Sequence, residues 1–211
     1  MNLIQNGEVV SNESRREKLI TVGLELFSAR PYHEVSVDDL AAAAGVSNGL
    51  LYHYFPSKRD LYVALIRAAV DEMREVTAPR GGPAGPERLR RSLDAYLDFV
   101  EHREQGFRAV LQGGIGADRE IWQITEEMRA LTVERLLEGL GVERARPILR
   151  SVLRGWIGFL EATSLDWLTH RDLARDQLID VLTLALGSAL EAARRVDPEV
   201  EFELPIPATQ R

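Results

Sequence analysis

SVDDLAAAAGVSNGLLYHYFPSKRDL, residues 36–61, reads as two short helices joined by a tight turn and followed at once by the start of a third. Ser36 is placed to cap the first helix, with Asp38 and Asp39 in the first turn, where the helix dipole favours carboxylates. Leu40, Ala41 and Ala44 supply a narrow apolar face, and Gly45 can turn with positive φ where that helix must stop. Helices that cross closely need a small residue in the first helix and a permissive one at the turn, which Ala41 and Gly45 provide. Val46 and Leu51 then look inward. Ser47 or Asn48 caps the second helix, which Pro56 stops.

The outer face of that second helix carries Asn48, Gly49, Tyr52 and His53 near its N-terminal half, the part that a DNA-reading helix inserts into the major groove. Spacing alone fits any pair of hairpin helices equally well. The run LLYHYFPSK, leading into an apolar helix, tips the balance. It resembles the DNA-binding domain of the TetR family of bacterial transcriptional regulators, whose pattern is a Gly-Val-Ser turn, an aromatic-rich recognition helix and a Lys at the start of the next helix. The resemblance runs from Ser14 to Ala69 and departs from the family at Arg30-Pro31, where a Gly is usual. It implies an all-α, homodimeric protein with an N-terminal three-helix helix-turn-helix domain and a C-terminal helical domain for ligand binding and dimerisation. Carried over position by position, it makes Ser47, Asn48, Gly49 and His53 candidates for base-edge or groove contacts, and Ser36, Tyr52 and Lys58 candidates for phosphate contacts. Lys58 also sits in a first helical turn, where a cation opposes the dipole, so an outside phosphate would give it a reason to be there.

Composition narrows the alternatives. An apolar share of 45% in 211 residues suffices for a real core. Cysteine is absent, which excludes disulfides, thiolate metal sites and a Cys nucleophile, and fits a reducing compartment. No apolar run has the length of a membrane span, and MNLIQNGEVV lacks a signal-peptide layout, so the expectation is a soluble cytoplasmic protein without a membrane partner. The formal charge is −7, and acidic residues outnumber basic ones even over the first sixty positions. A DNA binder of this charge must work through few, placed contacts, with weak non-specific affinity.

Along the chain, residues 1–12 lack periodicity and are expected to form a flexible arm. A first helix is expected to start near Ser14, with Glu17 completing a capping box, and to end at Pro31. The helix-turn-helix domain is expected over 13–60. A helical effector-binding and dimerisation domain follows over 61–196, and a tail over 197–211. Ser57 caps the fourth helix, which runs to about Val76, and APRGGPAGP over 78–86 breaks it. Gly-rich GGIGAD over 113–118 has neither the preceding strand nor the Lys-Ser/Thr of a phosphate loop, and reads as a connection ending in Asp118 as a cap. Asp172 is expected to cap the last helix.

The helix over 148–168 is apolar on more than one face, and the last helix places small residues among leucines, so together they read as half of an intermolecular four-helix bundle. Leu160, Trp167, Leu178, Val181, Leu182, Ala185, Leu186 and Ala189 are the positions expected at that homodimer interface. Packing within their own domain is the alternative. The four histidines lie in separate segments without ligand spacing, so neither a metal nor another cofactor is expected. No nucleophile elbow, dinucleotide fingerprint or paired-carboxylate signature points to an enzyme. Gln112, Trp122, Gln123, Met128, Trp156, Phe159 and Thr163 are candidates to line a mostly apolar pocket, though each one separately reads equally as core. The resemblance implies the rest: a repressor that binds double-stranded palindromic DNA and is released by a small-molecule effector. A DNA-associated protein without an effector, whose helical body recruits a protein partner, is the second reading, and a dry, fully packed body would favour it.

Overall fold

The computed structural model describes residues 4–78, 81, 85–112 and 118–202, with side chains from residue 14 onward. The described residues form helices α1 (Ile4–Ala29), α2 (Val37–Ala44), α3 (Asn48–Tyr54), α4 (Lys58–Val76), α5 (Pro86–His102), α6 (Glu104–Leu111), α7 (Arg119–Gly139), α8 (Pro147–His170) and α9 (Arg175–Val196), with a single 3-10 turn at Tyr32–Glu34. The chain divides into two compact units. The head comprises residues 1–72 and 103–124, and the body residues 73–102 and 125–211.

In the head, α1 packs against α2 and α6, and α2 against α3. Leu40, Ala41 and Ala44 of α2 and Leu51 of α3 close over Leu19 and Phe27 of α1 and over Leu61, Tyr62 and Leu65 of α4, joined by Ile121 and Ile124. Gly23 permits the approach of α1 to α4, because a Cβ there would lie 2.8 Å from the Leu65 side chain. Helix α1 begins at Ile4 rather than near Ser14. The hydrogen-bond ladder of a helix needs no apolar stripe, so the backbone can be helical over 4–13 where the sequence shows no periodicity. Pro31 ends α1 as expected, and Tyr32 then stacks with Phe27 and meets Tyr62 edge-on.

In the body, α8 packs along α9, and α5 lies against both. Leu93, Leu97 and Val100 of α5, Leu149, Leu153 and Ile157 of α8, and Leu178, Leu182, Leu186 and Leu190 of α9 are buried. Pro147 opens α8 at a position where its missing N–H costs nothing. Asp172 is not the cap of α9. Arg171 adopts a left-handed conformation, the Trp167 indole donates to the Leu173 carbonyl, and the helix starts after Ala174, whose N–H donates to the Gln177 side chain. Beyond α9, Val200 and Phe202 are buried, and the Arg194 guanidinium lies 4.5 Å from the Phe202 ring centre. Most of the Gly/Pro segment over 78–85, the glycine run 113–117 and the end of the tail from 203 lie outside the described residues. No described helix is long and apolar enough to cross a membrane.

Candidate functional site

The turn between α2 and α3 is built as its residues dictate. The Ser36 hydroxyl accepts from the Asp39 N–H at 3.0 Å while the Asp39 carboxylate accepts from the Ser36 N–H at 2.8 Å. These bonds hold the Asp39 carboxyl below the usual carboxylate range, the Ser36 backbone bond first among the causes. Gly45 takes up φ 67°, ψ 37°, and its N–H together with that of Val46 satisfies the last carbonyls of α2. Ser47 caps α3 through the Leu50 N–H at 3.3 Å.

Asn48 opens α3 and donates its side-chain amide to Asp38, which ties the two helices together. Tyr52 and His53 are exposed on α3, with Tyr52 at 47%. Gly49 is exposed as well. A Cβ on it would meet nothing nearer than the Ser47 hydroxyl at 3.9 Å. Packing within the chain therefore does not require a glycine there, although glycine weakens a helix.

Lys58 is half-buried. Its ammonium donates to the Tyr32 carbonyl at 2.6 Å and stands 4.1 Å from the centre of the Tyr32 ring, and burial lowers its pKa. The unfavourable first-turn position thus has an internal reason in addition to any phosphate. Arg59 makes a paired contact with Asp118, Nε to Oδ2 at 2.6 Å and Nη2 to Oδ1 at 2.8 Å, and reaches Glu120 at 3.3 Å. Arg67 reaches the other oxygen of Glu120 at 3.1 Å. Asp118, whose carboxyl the Arg59 guanidinium holds below its ordinary pKa, also caps α7 through the Glu120 N–H. Arg30 pairs with Asp39 and Arg103 with Glu72. Much of the head's basic charge is thereby matched internally. Arg15, Arg16 and Lys18 on α1 have no carboxylate partner among the described residues, and Arg16 sits 5.2 Å from the centre of the Phe55 ring.

The body holds a cavity of about 180 Å³ between α5, α7, α8 and the last turn of α4. Leu89, Leu93, Leu136, Ile157, Leu160 and Leu186 are among its apolar wall residues, and Arg88, Arg129, Arg135 and Glu161 are its charged members. Of the positions expected to line a pocket, Met128 and Trp156 do so. The Trp156 indole donates to the Leu182 carbonyl at 2.9 Å, leaving the ring to form wall. Gln112, Trp122 and Gln123 belong to the head and are exposed. Phe159 and Thr163 are on α8 but not on the cavity wall, which takes Trp156, Ile157, Leu160 and Glu161 from that helix. A search for apolar residues passes over the arginines. On α7 the spacing Met128, Thr132, Arg135, Leu136, Gly139 is a one-sided pattern in which a charged residue occupies a core-facing place, and that is the signal that could have found them.

Of the positions expected at a dimer interface, Leu160, Trp167, Leu178, Leu182 and Leu186 are buried within the single chain and have almost no surface left to offer. The reason is α5, which covers a second face of both α8 and α9. Val181 is exposed, and Ala185 and Ala189 are half-buried. Exposed apolar residues lie elsewhere on the same helices, at Phe159 and Leu184.

Residues 19–65 match the family model for bacterial regulatory proteins of the tetR family, and residues 86–186 match that for the tetracyclin repressor-like C-terminal domain. A solved structure of a tetR-family transcriptional regulator from Streptomyces coelicolor is 36% identical, with a TM-score of 0.83, covering 89% of this chain and 85% of that one. The chain belongs to the TetR family. This TetR-family protein is accordingly a DNA-binding transcriptional regulator and not an enzyme. Among curated relatives, the HTH-type transcriptional activator FasR of Mycolicibacterium smegmatis is 27% identical over 183 residues, 83% of each chain. The HTH-type transcriptional repressor KstR2 of Mycobacterium tuberculosis is 31% identical over 93 residues, 42% of this chain and 46% of its own. Relatives of this TetR-family chain thus include both signs of regulation.

Proposed function

We infer that this protein is a homodimeric repressor that reads a palindromic operator through the N-terminal half of α3 and releases it when a small molecule fills the body cavity. The observation that carries this reading is the exposed start of α3: capped by Ser47 and joined to α2 through Asn48, it presents Gly49, Tyr52 and His53 to solvent with no internal packing role for Gly49. Ser47, Asn48, Gly49 and His53 serve base edges or groove, and Ser36, Tyr52 and Lys58 serve phosphates. Both cap hydroxyls accept from backbone N–H groups and keep their own proton to donate to a phosphate or base. Asn48 must exchange its bond to Asp38 for a base edge, which lowers its net contribution.

The cavity supports the effector reading over the recruitment of a protein partner, for which a dry, fully packed body is the expectation. Helix α4 starts in the turn after α3 and reaches the cavity wall at Met73, and α7 starts at Arg119 and reaches the wall at Met128. A ligand that prefers one arrangement of these helices shifts the population towards it by its differential affinity. For the dimer, Gly155, Phe159 and Ala162 on α8 and Val181, Leu184 and Ser188 on α9 form exposed, mostly small or apolar stripes at helical spacing.

Selection of binding sites from random DNA with the full chain tests the reading. It is expected to return two half-sites in two-fold relation, centred about 34–36 Å apart or a multiple of that. Lys58→Ala is expected to weaken binding and to flatten the salt dependence by about 0.9 log unit for each phosphate left without its cation, so by about twice that for a dimer. No enriched sequence, or a salt slope untouched by Lys58→Ala, counts against the operator model or against Lys58 respectively.

A further inference from the structure

The cavity's charge pattern is lopsided. Arg129 is neutralised: it forms a paired contact with Glu161, both bonds at 2.8 Å, and a third bond to Glu126 at 2.6 Å. Arg88 and Arg135 have no carboxylate partner among the described residues, although both are only half-exposed and both line the cavity. Arg135 donates to the Arg74 carbonyl at 3.1 Å and to the Thr77 hydroxyl at 3.4 Å, in and just after the last turn of α4. The Arg88 guanidinium lies over Gly139, the last residue of α7, where an added Cβ would stand 3.1 Å from it. Arg135 therefore meets the partial negative charge of the α4 C-terminus, about half an elementary charge that fades within a turn, and Arg88 stands beside the last residue of α7. Two cations beside a leucine-rich wall, without a carboxylate partner among the described residues, leave a full counter-charge to be supplied from outside.

We propose that the cavity takes an amphiphilic anion, an apolar chain or ring with a carboxylate or phosphate head that is held between Arg88 and Arg135. The apolar part lies against Leu89, Leu93, Leu136 and Ile157, and the Trp156 ring gives it a flat surface. A cavity of about 180 Å³ exceeds the ~150 Å³ that holds a benzene ring in an engineered apolar site, so a ring or a short length of chain fits without repacking. Guanidinium groups favour a planar, bidentate head such as carboxylate or phosphate over a point acceptor. The head would also compete with the Arg74 carbonyl for Arg135, which places the anion's effect on the last turn of α4.

This assignment rests on the cavity being the effector site, and the test separates the two. Decanoate, decyl phosphate, decanol and decylammonium are titrated into the full-length protein by calorimetry without DNA, and each is then added to the operator complex. Both anions are expected to bind at least tenfold more tightly than decanol, and decylammonium more weakly than decanol. Arg88→Met and Arg135→Met are each expected to remove about tenfold of the anion affinity and leave decanol unchanged, with Arg135→Lys partly restoring it. Unchanged decanol affinity in the variants also shows that the cavity is still folded. Equal affinity for all four probes, no binding of any of them, or anion binding indifferent to both substitutions overturns the proposal. Anion binding that leaves operator affinity untouched keeps the ligand class and removes the effector role. Release by decanol alone does the reverse.

Discussion

Tyr62 buries its hydroxyl in the head without a hydrogen-bond partner among the described residues, and burial, with a smaller contribution from Tyr32, pushes its pKa up to about 12. A buried unsatisfied polar group costs about 1–3 kcal/mol, so Tyr62→Phe is expected to raise the stability of the head by an amount in that range. Thermal or urea unfolding followed by circular dichroism measures it, and a loss of stability would show that the hydroxyl has a partner. The same group sets an alkaline limit. Below the unfolded-state pKa of about 10 both states hold the proton; between about pH 10 and 12 only the folded state does, so stability falls as pH rises through that window. Tyr62→Phe should abolish this slope. At Lys58 the ammonium bond to the Tyr32 carbonyl holds the turn after α1, and the proposed phosphate contact would draw on its remaining protons.

Gly23 shows what an element owes to one missing methyl group. Gly23→Ala is expected to destabilise the head by about 1–3 kcal/mol, because Leu65 is buried against it and cannot swing into solvent. A midpoint of unfolding at or above that of the natural chain would mean that α1 and α4 separate without cost. Nothing in the sequence marks Gly23, since its partner stands forty-two positions away on another helix. By contrast, the α2–α3 turn is legible throughout, because the Ser36 cap, the left-handed Gly45 and the Ser47 cap all act over three or four residues. The start of α9 is not, since the Trp167 bond to Leu173 holds the chain out of the helix past Asp172. The cavity is the least legible. Met128 and Trp156 are within reach of a search for apolar residues on helices, and Arg135 within reach of the one-sided pattern of α7, whereas Arg88 becomes wall only when α5 and α7 are brought together.

At the scale of the whole molecule, the proposed homodimer rests on the exposed stripes of α8 and α9. Phe159→Asp combined with Leu184→Asp is expected to yield a folded monomer that no longer binds a two-half-site operator, as sedimentation and gel-retardation experiments would record. A dimer that survives both changes would move the interface to another surface. Homodimer positions chosen from apolar pattern alone fall largely inside the fold, since α5 has already claimed that face of both helices. Pattern reports that a face is covered, not by which neighbour.

The internal pairing of Arg30, Arg59, Arg67 and Arg103 with carboxylates bears on how many copies of the protein a cell must keep. A regulator with abundant unpaired cations is soaked up by the competing sites of a chromosome, and most of its molecules never reach their target. One that neutralises its own arginines, and carries a formal charge of −7 besides, leaves the bulk of its population dissolved. A small stock then suffices to fill an operator, and on the proposed reading an effector meets that stock free in solution, before it has ever found the genome.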